Sequence, residues 1–256
     1  MNTIISHFFN YKWLLIMVAM TMCGCSESGK KQNIPGKNKQ EATVTKPAPA
    51  IPVADTRKEP AEFVPKGFSV FEKAYGDLNK DGVEDCILII KKINKENIIT
   101  DEHRGKLDRN RRGIIVLFKT KEGYELASNN NNCFSSENEE GGVYYAPELM
   151  VYAEKGNLNI HYAHGRYGYW KYIFRYQNSD FELIGYEDSS NTGPTVNSTT
   201  SINFSTKKKL TKINTNENAE SGDEVFESTW TSVTIPKLLR LSEIKDFDEL
   251  ELSSAE

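Results

Sequence analysis

The chain reads as mostly β: one antiparallel domain, a β-meander of propeller-like or sandwich form. Two features lead there. Short runs rich in Val, Ile, Phe, Tyr and Trp recur from residue 68 onward, and Asp81-Gly82, Glu122-Gly123, Lys155-Gly156-Asn157 and Asn178-Ser179-Asp180 punctuate them as turns. Stretches with a helical period are scarce. With 256 residues and a hydrophobic fraction of 38%, there is apolar material for one core once an N-terminal leader and tether are set aside.

In chain order, the expected strands begin with FSVFEKAYG at 68–76, CILIIKKI at 86–93, GIIVLFKT at 113–120 and GYELAS at 123–128. LMVYAEK at 149–155, NLNIHYAH at 157–164, YWKYIFRY at 169–176 and FELIGYE at 181–187 follow, then TSINFST at 200–206 and FESTWTSVTI at 226–235. This makes about ten strands joined mainly as hairpins. After Pro236, KLLRLSEI spaces Leu238, Leu241 and Ile244 three apart and predicts one short helix or turn. No copy-for-copy repeat is visible, which disfavours a complete propeller of several blades.

The first 60 residues read differently. WLLIMVAMTM at 13–22 is too short to span a bilayer but suits the apolar stretch of a signal peptide, after the single early cation Lys12. From Ser26 to about Pro60, Lys, Gln, Asn, Ala and Pro dominate and aromatic residues are absent. Such a segment buries too little apolar surface to offset its ordering entropy. The expected organisation is a signal peptide over 1–24, a disordered tether over 25–60 and the β domain over 61–256.

Met22-Cys23-Gly24-Cys25 closes the leader and resembles the lipobox of bacterial lipoproteins. That resemblance implies diacylation of Cys25. Cys23 fits the acylated position badly, because bulky Met22 precedes it. Two acyl chains, at roughly 0.8 kcal/mol per buried methylene, hold a protein on a membrane without a spanning helix. Ser26 rather than Asp follows Cys25, which by resemblance to enterobacterial sorting implies the outer membrane, with the domain on its periplasmic or surface face. The net charge of -4 leaves no basic excess for a phosphate backbone, so nucleic acid is not an expected partner.

The strongest chemical motif is Asp77-Leu78-Asn79-Lys80-Asp81-Gly82-Val83-Glu84-Asp85. Oxygen-bearing side chains at positions one, three, five and nine, with Gly at six, are what a hard calcium ion needs to gather oxygens at one point. An EF-hand would place a bidentate Glu where Leu88 stands inside an apolar run, so the loop joins two strands. The alternative is a metal-free Asp-Gly hairpin turn with solvated acids around it.

The loop resembles the calcium-binding hairpin loops of integrin-type FG-GAP repeats, in which Asp77, Asn79, Asp81 and Asp85 would give side-chain oxygens and Val83 a carbonyl. The order GDLNKDGVEDCILII, RRGIIVLF, GYELAS, Gly141-Gly142-Val143 and HYAHGRYGYWKYIFRYQNSDFELIGY is similar to exported bacterial proteins labelled FG-GAP-like. The similarity spans roughly 68–186 and implies export, a β fold and structural calcium, with no reaction attached.

Other residues invite chemistry. Tyr169 and Trp170 open an aromatic strand on which Trp170, Tyr172, Phe174 and Tyr176 share one face, either as a core stripe or as a platform for sugar or peptide. Arg104, Arg109, Arg111 and Arg112 sit in a charged span that could receive a carboxylate or phosphate, or could be a solvated connection. Cys86 and Cys133 could form a disulfide in an oxidising compartment, or Cys86 could be simply buried. His161 and His164, three apart on a strand, point to opposite faces, which argues against shared zinc ligation.

No nucleophile elbow, zinc-protease, P-loop or Rossmann motif is present. Two functions follow: a non-catalytic, calcium-stabilised module on the envelope that binds a glycan or protein, or an envelope hydrolase using carboxylates.

Overall fold

The computed structural model of the protein describes residues 55–139 and 146–252. Cys25 with its lipobox, and Gly141-Gly142-Val143, lie outside them. The compact unit spans 51–256. Its strands are β1 (Thr56–Arg57), β2 (Phe68–Gly76), β3 (Asp85–Lys92), β4 (Ile98–Asp101), β5 (Gly105–Asp108), β6 (Arg112–Lys119) and β7 (Tyr124–Phe134). Then come β8 (Glu148–Glu154), β9 (Asn157–Ala163), β10 (Gly168–Gln177), β11 (Asp180–Thr192), β12 (Thr195–Asn203), β13 (Lys208–Asn214) and β14 (Phe226–Ser232). The domain is mostly β, as its hydrophobic alternation and turn signals predict, and every strand pairing is antiparallel.

A five-stranded sheet runs β1-β7-β6-β3-β2, and a seven-stranded curled sheet runs β14-β13-β12-β11-β10-β9-β8 as an uninterrupted meander. The β4–β5 hairpin forms a third, two-stranded sheet. Strand β3 lies inside the sheet, between β6 and β2, and is apolar on both faces. Ile87 and Ile89 join the main core between the two large sheets, whereas Cys86, Leu88 and Ile90 join a second cluster on the opposite face. From the seven-stranded sheet, Val151, Ile160, Tyr172, Phe174, Phe181 and Leu183 complete the main core. The stripe expected on β10 is therefore core-facing: Tyr172 and Phe174 are buried, and Trp170 and Tyr176 pack against the same cluster.

The folded part starts before residue 61. Thr56 and Arg57 pair with Glu125 and Tyr124, and the 3-10 turn Pro60–Phe63 lays Phe63 over the second cluster. A strand as fully apolar as β3 needs cover on both faces, and this segment supplies it.

Of the short helix or turn expected after Pro236, the structure forms the turn, a 3-10 turn at Leu241–Glu243. An isolated helix of that length is marginal in water. Tertiary contacts claim the segment instead: Leu183 N donates to Leu239 O at 2.8 Å, and Asn130 Nδ2 donates to Leu241 O at 2.8 Å and Ile244 O at 2.6 Å. Leu241, Ile244 and Phe247 then enter the main core.

Of the two readings of the cysteines, a disulfide or simple burial, the structure shows burial. Cys86 and Cys133 are free and buried, Cys86 in the second cluster and Cys133 in the main core. The five-stranded sheet lies between those clusters, so the two sulfur atoms cannot meet without dismantling it.

Candidate metal centre

The Asp77–Asp85 loop joins β2 to β3, as the motif requires of a hairpin. Its turn is made by Lys80 and Gly82, at φ of 65° and 86°. Glycine takes such a conformation without cost, and Lys80 is held in it by the acids around it. Asp77 Oδ1 accepts from Lys80 N at 2.6 Å and Asp81 N at 3.1 Å, and Asp77 Oδ2 accepts from Gly82 N at 3.1 Å. Asn79 Oδ1 accepts from Asp81 N at 3.0 Å, and Asp81 Oδ1 from Val83 N at 2.8 Å. The acids accept from the loop's own main chain, while Asn79 and Asp81 stay exposed to water.

Asp85 anchors the far end. It is fully buried, and its two oxygens accept from Leu78 N at 2.8 Å and Lys119 N at 2.9 Å. Burial raises its pKa, and the main-chain donors of Lys119, Leu78 and Asn79 oppose that rise. A carboxylate at this depth keeps a standing demand for positive charge.

The donor set suits a hard cation: three carboxylates and one amide oxygen, with no sulfur or nitrogen ligand among them. Asp77 Oδ2, both Asp81 oxygens, Asn79 Oδ1 and the Val83 carbonyl retain acceptor capacity beyond their present bonds. The loop leans on the β8–β9 turn, where Asp77, Lys80, Glu154 and Lys155 line an open cleft. Lys80 covers Gly156 so closely that a Cβ there would fall 2.3 Å from its Cε. Among the described residues, no group of three or more His, Cys, Asp or Glu side chains is gathered as a metal cage. Main-chain N–H groups hold the carboxylates in the described arrangement.

The four arginines are spent on separate partners. Arg104 lies in the turn of the β4–β5 hairpin and donates to Asn138 O and Glu139 O at 3.2 and 3.3 Å. Arg111 donates to Asn132 O and pairs with Asp246 at 2.7 Å. Arg112 is buried, donates to Ser135 O at 2.9 Å and stacks over Phe71. Arg109, which follows β5, is also engaged. The span reads as a clamp on the end of β7.

Tyr169 and Trp170 part to opposite faces of β10. Trp170 turns inward and stacks on Tyr162 with centroids 5.2 Å apart, whereas Tyr169 turns outward beside His161 at 5.0 Å. His164 follows β9 and packs against Tyr167 and Trp170. A cleft near the C-terminal segment brings Glu243, Asp246 and Glu249 to one place. Of these, Glu243 is paired with Lys237 and Asp246 with Arg111.

Sequence reasoning missed Phe71. It is the residue bulged out of β2 between Val70 and Glu72, its ring 43% exposed and lying over Lys91 and Arg112. Its place in FSVFEKAYG gives no sign of the bulge, which only the pairing register reveals.

No protein-family model, curated protein or solved structure matches this chain.

Proposed function

We propose that the protein is an exported lipoprotein, held in the bacterial envelope by acyl chains on Cys25 and facing outward or into the periplasm from the outer membrane. Its β domain is a non-catalytic module that binds a glycan or protein ligand and is stabilised by calcium at Asp77, Asn79, Asp81, Val83 and Asp85. The observation that carries the calcium reading is the loop whose oxygens gather on its own main chain, anchored on a fully buried Asp85. A cation would satisfy the acceptors that main-chain donors leave over and would answer the desolvation that raises the Asp85 pKa.

The test is a calcium titration of residues 51–256 followed by thermal melting, with chelator and with Asp81→Ala. A ligand bound only by the native state stabilises it by about 2.7 kcal/mol at a hundred times its Kd. The melting temperature is expected to rise with calcium, to fall back with chelator, and to ignore calcium in Asp81→Ala. An unchanged melting temperature in the wild-type chain would return the loop to a plain acidic hairpin.

A further inference from the structure

We propose that the outer edge of β14 pairs with the same edge of a second copy of this chain, joining two seven-stranded sheets across a two-fold axis at Thr229. This does not depend on the calcium reading.

Strand β14 ends its sheet, and among the described residues nothing pairs with its outer side. All seven of its residues are exposed, and Trp230 is 66% exposed. Open edges invite foreign strands and are ordinarily blunted by bulges, prolines, edge lysines or shortness. The other edges of the two large sheets carry such devices. Strand β1 is two residues long, β2 is bulged at Phe71, and β8 lies against β2, where a Cβ on Gly76 would meet the Ala153 Cβ at 2.5 Å. Strand β14 carries only one charge, Glu227: it pairs with β13 without a register shift and contains no proline and no lysine. The lysines of this region, Lys208, Lys209 and Lys212, stand one strand further in.

The hydrogen-bond parity fixes what the edge offers. Thr215 N donates to Val225 O at 2.7 Å, and Val233 N to Lys207 O at 3.1 Å. In an antiparallel ladder these directions alternate, so Glu227, Thr229 and Thr231 spend their N–H and C=O groups on β13. Phe226, Ser228, Trp230 and Ser232 therefore turn theirs outward. Self-pairing about Thr229 sets Ser228 against Trp230 of the second copy, and Phe226 against Ser232. Every outward group then meets an outward group, about eight main-chain hydrogen bonds in all.

The charges agree with this register. Glu227, the single charged residue of the strand, would lie opposite Thr231 of the second copy rather than opposite another acid. Because Lys209 pairs with Thr231, the Lys209 of the second copy follows on the same face, two strands from Glu227. Trp230 would cover Ser228 across the join and lose much of its exposure to water.

The test uses the full chain with Cys23 and Cys25 replaced by serine. Sedimentation is expected to give a dimer at about 10 μM. Thr229→Cys would place two thiols at a non-hydrogen-bonded pair, with Cα atoms about 4.5 Å apart and within disulfide reach. It is expected to cross-link at least about tenfold faster than the exposed turn control Ser221→Cys. Ser228→Pro removes an outward N–H and leaves the ladder to β13 intact, as edge prolines do. It is expected to raise the dimer dissociation constant by at least about tenfold, with the same melting temperature as the wild-type chain when both are melted dilute enough to be monomers. Should that variant fail to fold, Trp230→Lys takes its place with the same expectation. A wild-type monomer at about 100 μM, or Thr229→Cys cross-linking no faster than the control, overturns the proposal; so does a dimer indifferent to both edge variants.

Discussion

Asp85 and His161 show how burial sets the behaviour of single groups. Asp85 stands in the sequence as the ninth position of the proposed calcium loop, but its second task is not written there. By accepting from Lys119 N it also ties β3 to the end of β6. His161 lies on the outer face beside Tyr169, and its Nε2 is buried with no hydrogen-bond partner among the described residues. Desolvation holds its pKa below the ordinary 6.5, and Lys171 pushes the same way against Glu187. The sign follows from proton counting. As pH falls through 6.5 the unfolded chain takes up a proton first, so this contribution to stability is present above that pH. It is lost as pH falls through the lower folded value. His161→Phe is therefore expected to lose less melting temperature than the wild-type chain between about pH 7.5 and pH 5. Equal losses in both would show that the ring does not titrate in this window.

The segment after β14 binds the two large sheets together although it forms no strand of its own. Phe247 N donates to Cys133 O at 3.0 Å, and the Phe247 ring is fully buried. That ring stacks on Phe134 at 5.1 Å and meets Tyr172 at 5.1 Å and Phe174 at 6.1 Å. One side chain thus touches β7 of the five-stranded sheet and β10 of the seven-stranded sheet. Truncating a buried phenylalanine costs about 3–5 kcal/mol, through lost transfer free energy and the cavity left behind. Phe247→Ala is expected to fall in that range by urea denaturation. A loss under about 1 kcal/mol, typical of surface positions, would mean that the segment is not part of the cooperative fold. The spacing of Leu238, Leu241 and Ile244 points to a short helix or turn here, and the turn is what forms. The pattern was real, but the period served a strap whose apolar residues turn inward one at a time.

Across the domain, the five-stranded sheet is the partition that organises everything else. It puts Cys86 and Cys133 in separate cores, and desolvation raises both thiol pKa values. Thiols held neutral and away from water react slowly, because the thiolate is the nucleophile. Iodoacetamide is expected to leave both unmodified in the native protein and to label both after unfolding, with no Cys86–Cys133 disulfide found by mass even in an oxidising buffer. A native Cys86–Cys133 bridge would contradict the sheet order. The same partition separates the candidate calcium hairpin on the five-stranded sheet from the open β14 edge on the seven-stranded one.

The fold class, the hairpin at Asp77–Asp85 and the inward face of β10 were legible in the sequence, because each rests on a local rule. Alternation sets which side chains share a face, turn residues set where strands reverse, and acids at alternate positions set where a loop can gather oxygens. Strand partnership, the pairing of Thr56–Arg57 with β7, the bulge at Phe71, the strap at 241–247 and the separation of the two cysteines were decided by tertiary structure. Each depends on which residues meet across a sheet or between two sheets, and no local periodicity carries that information.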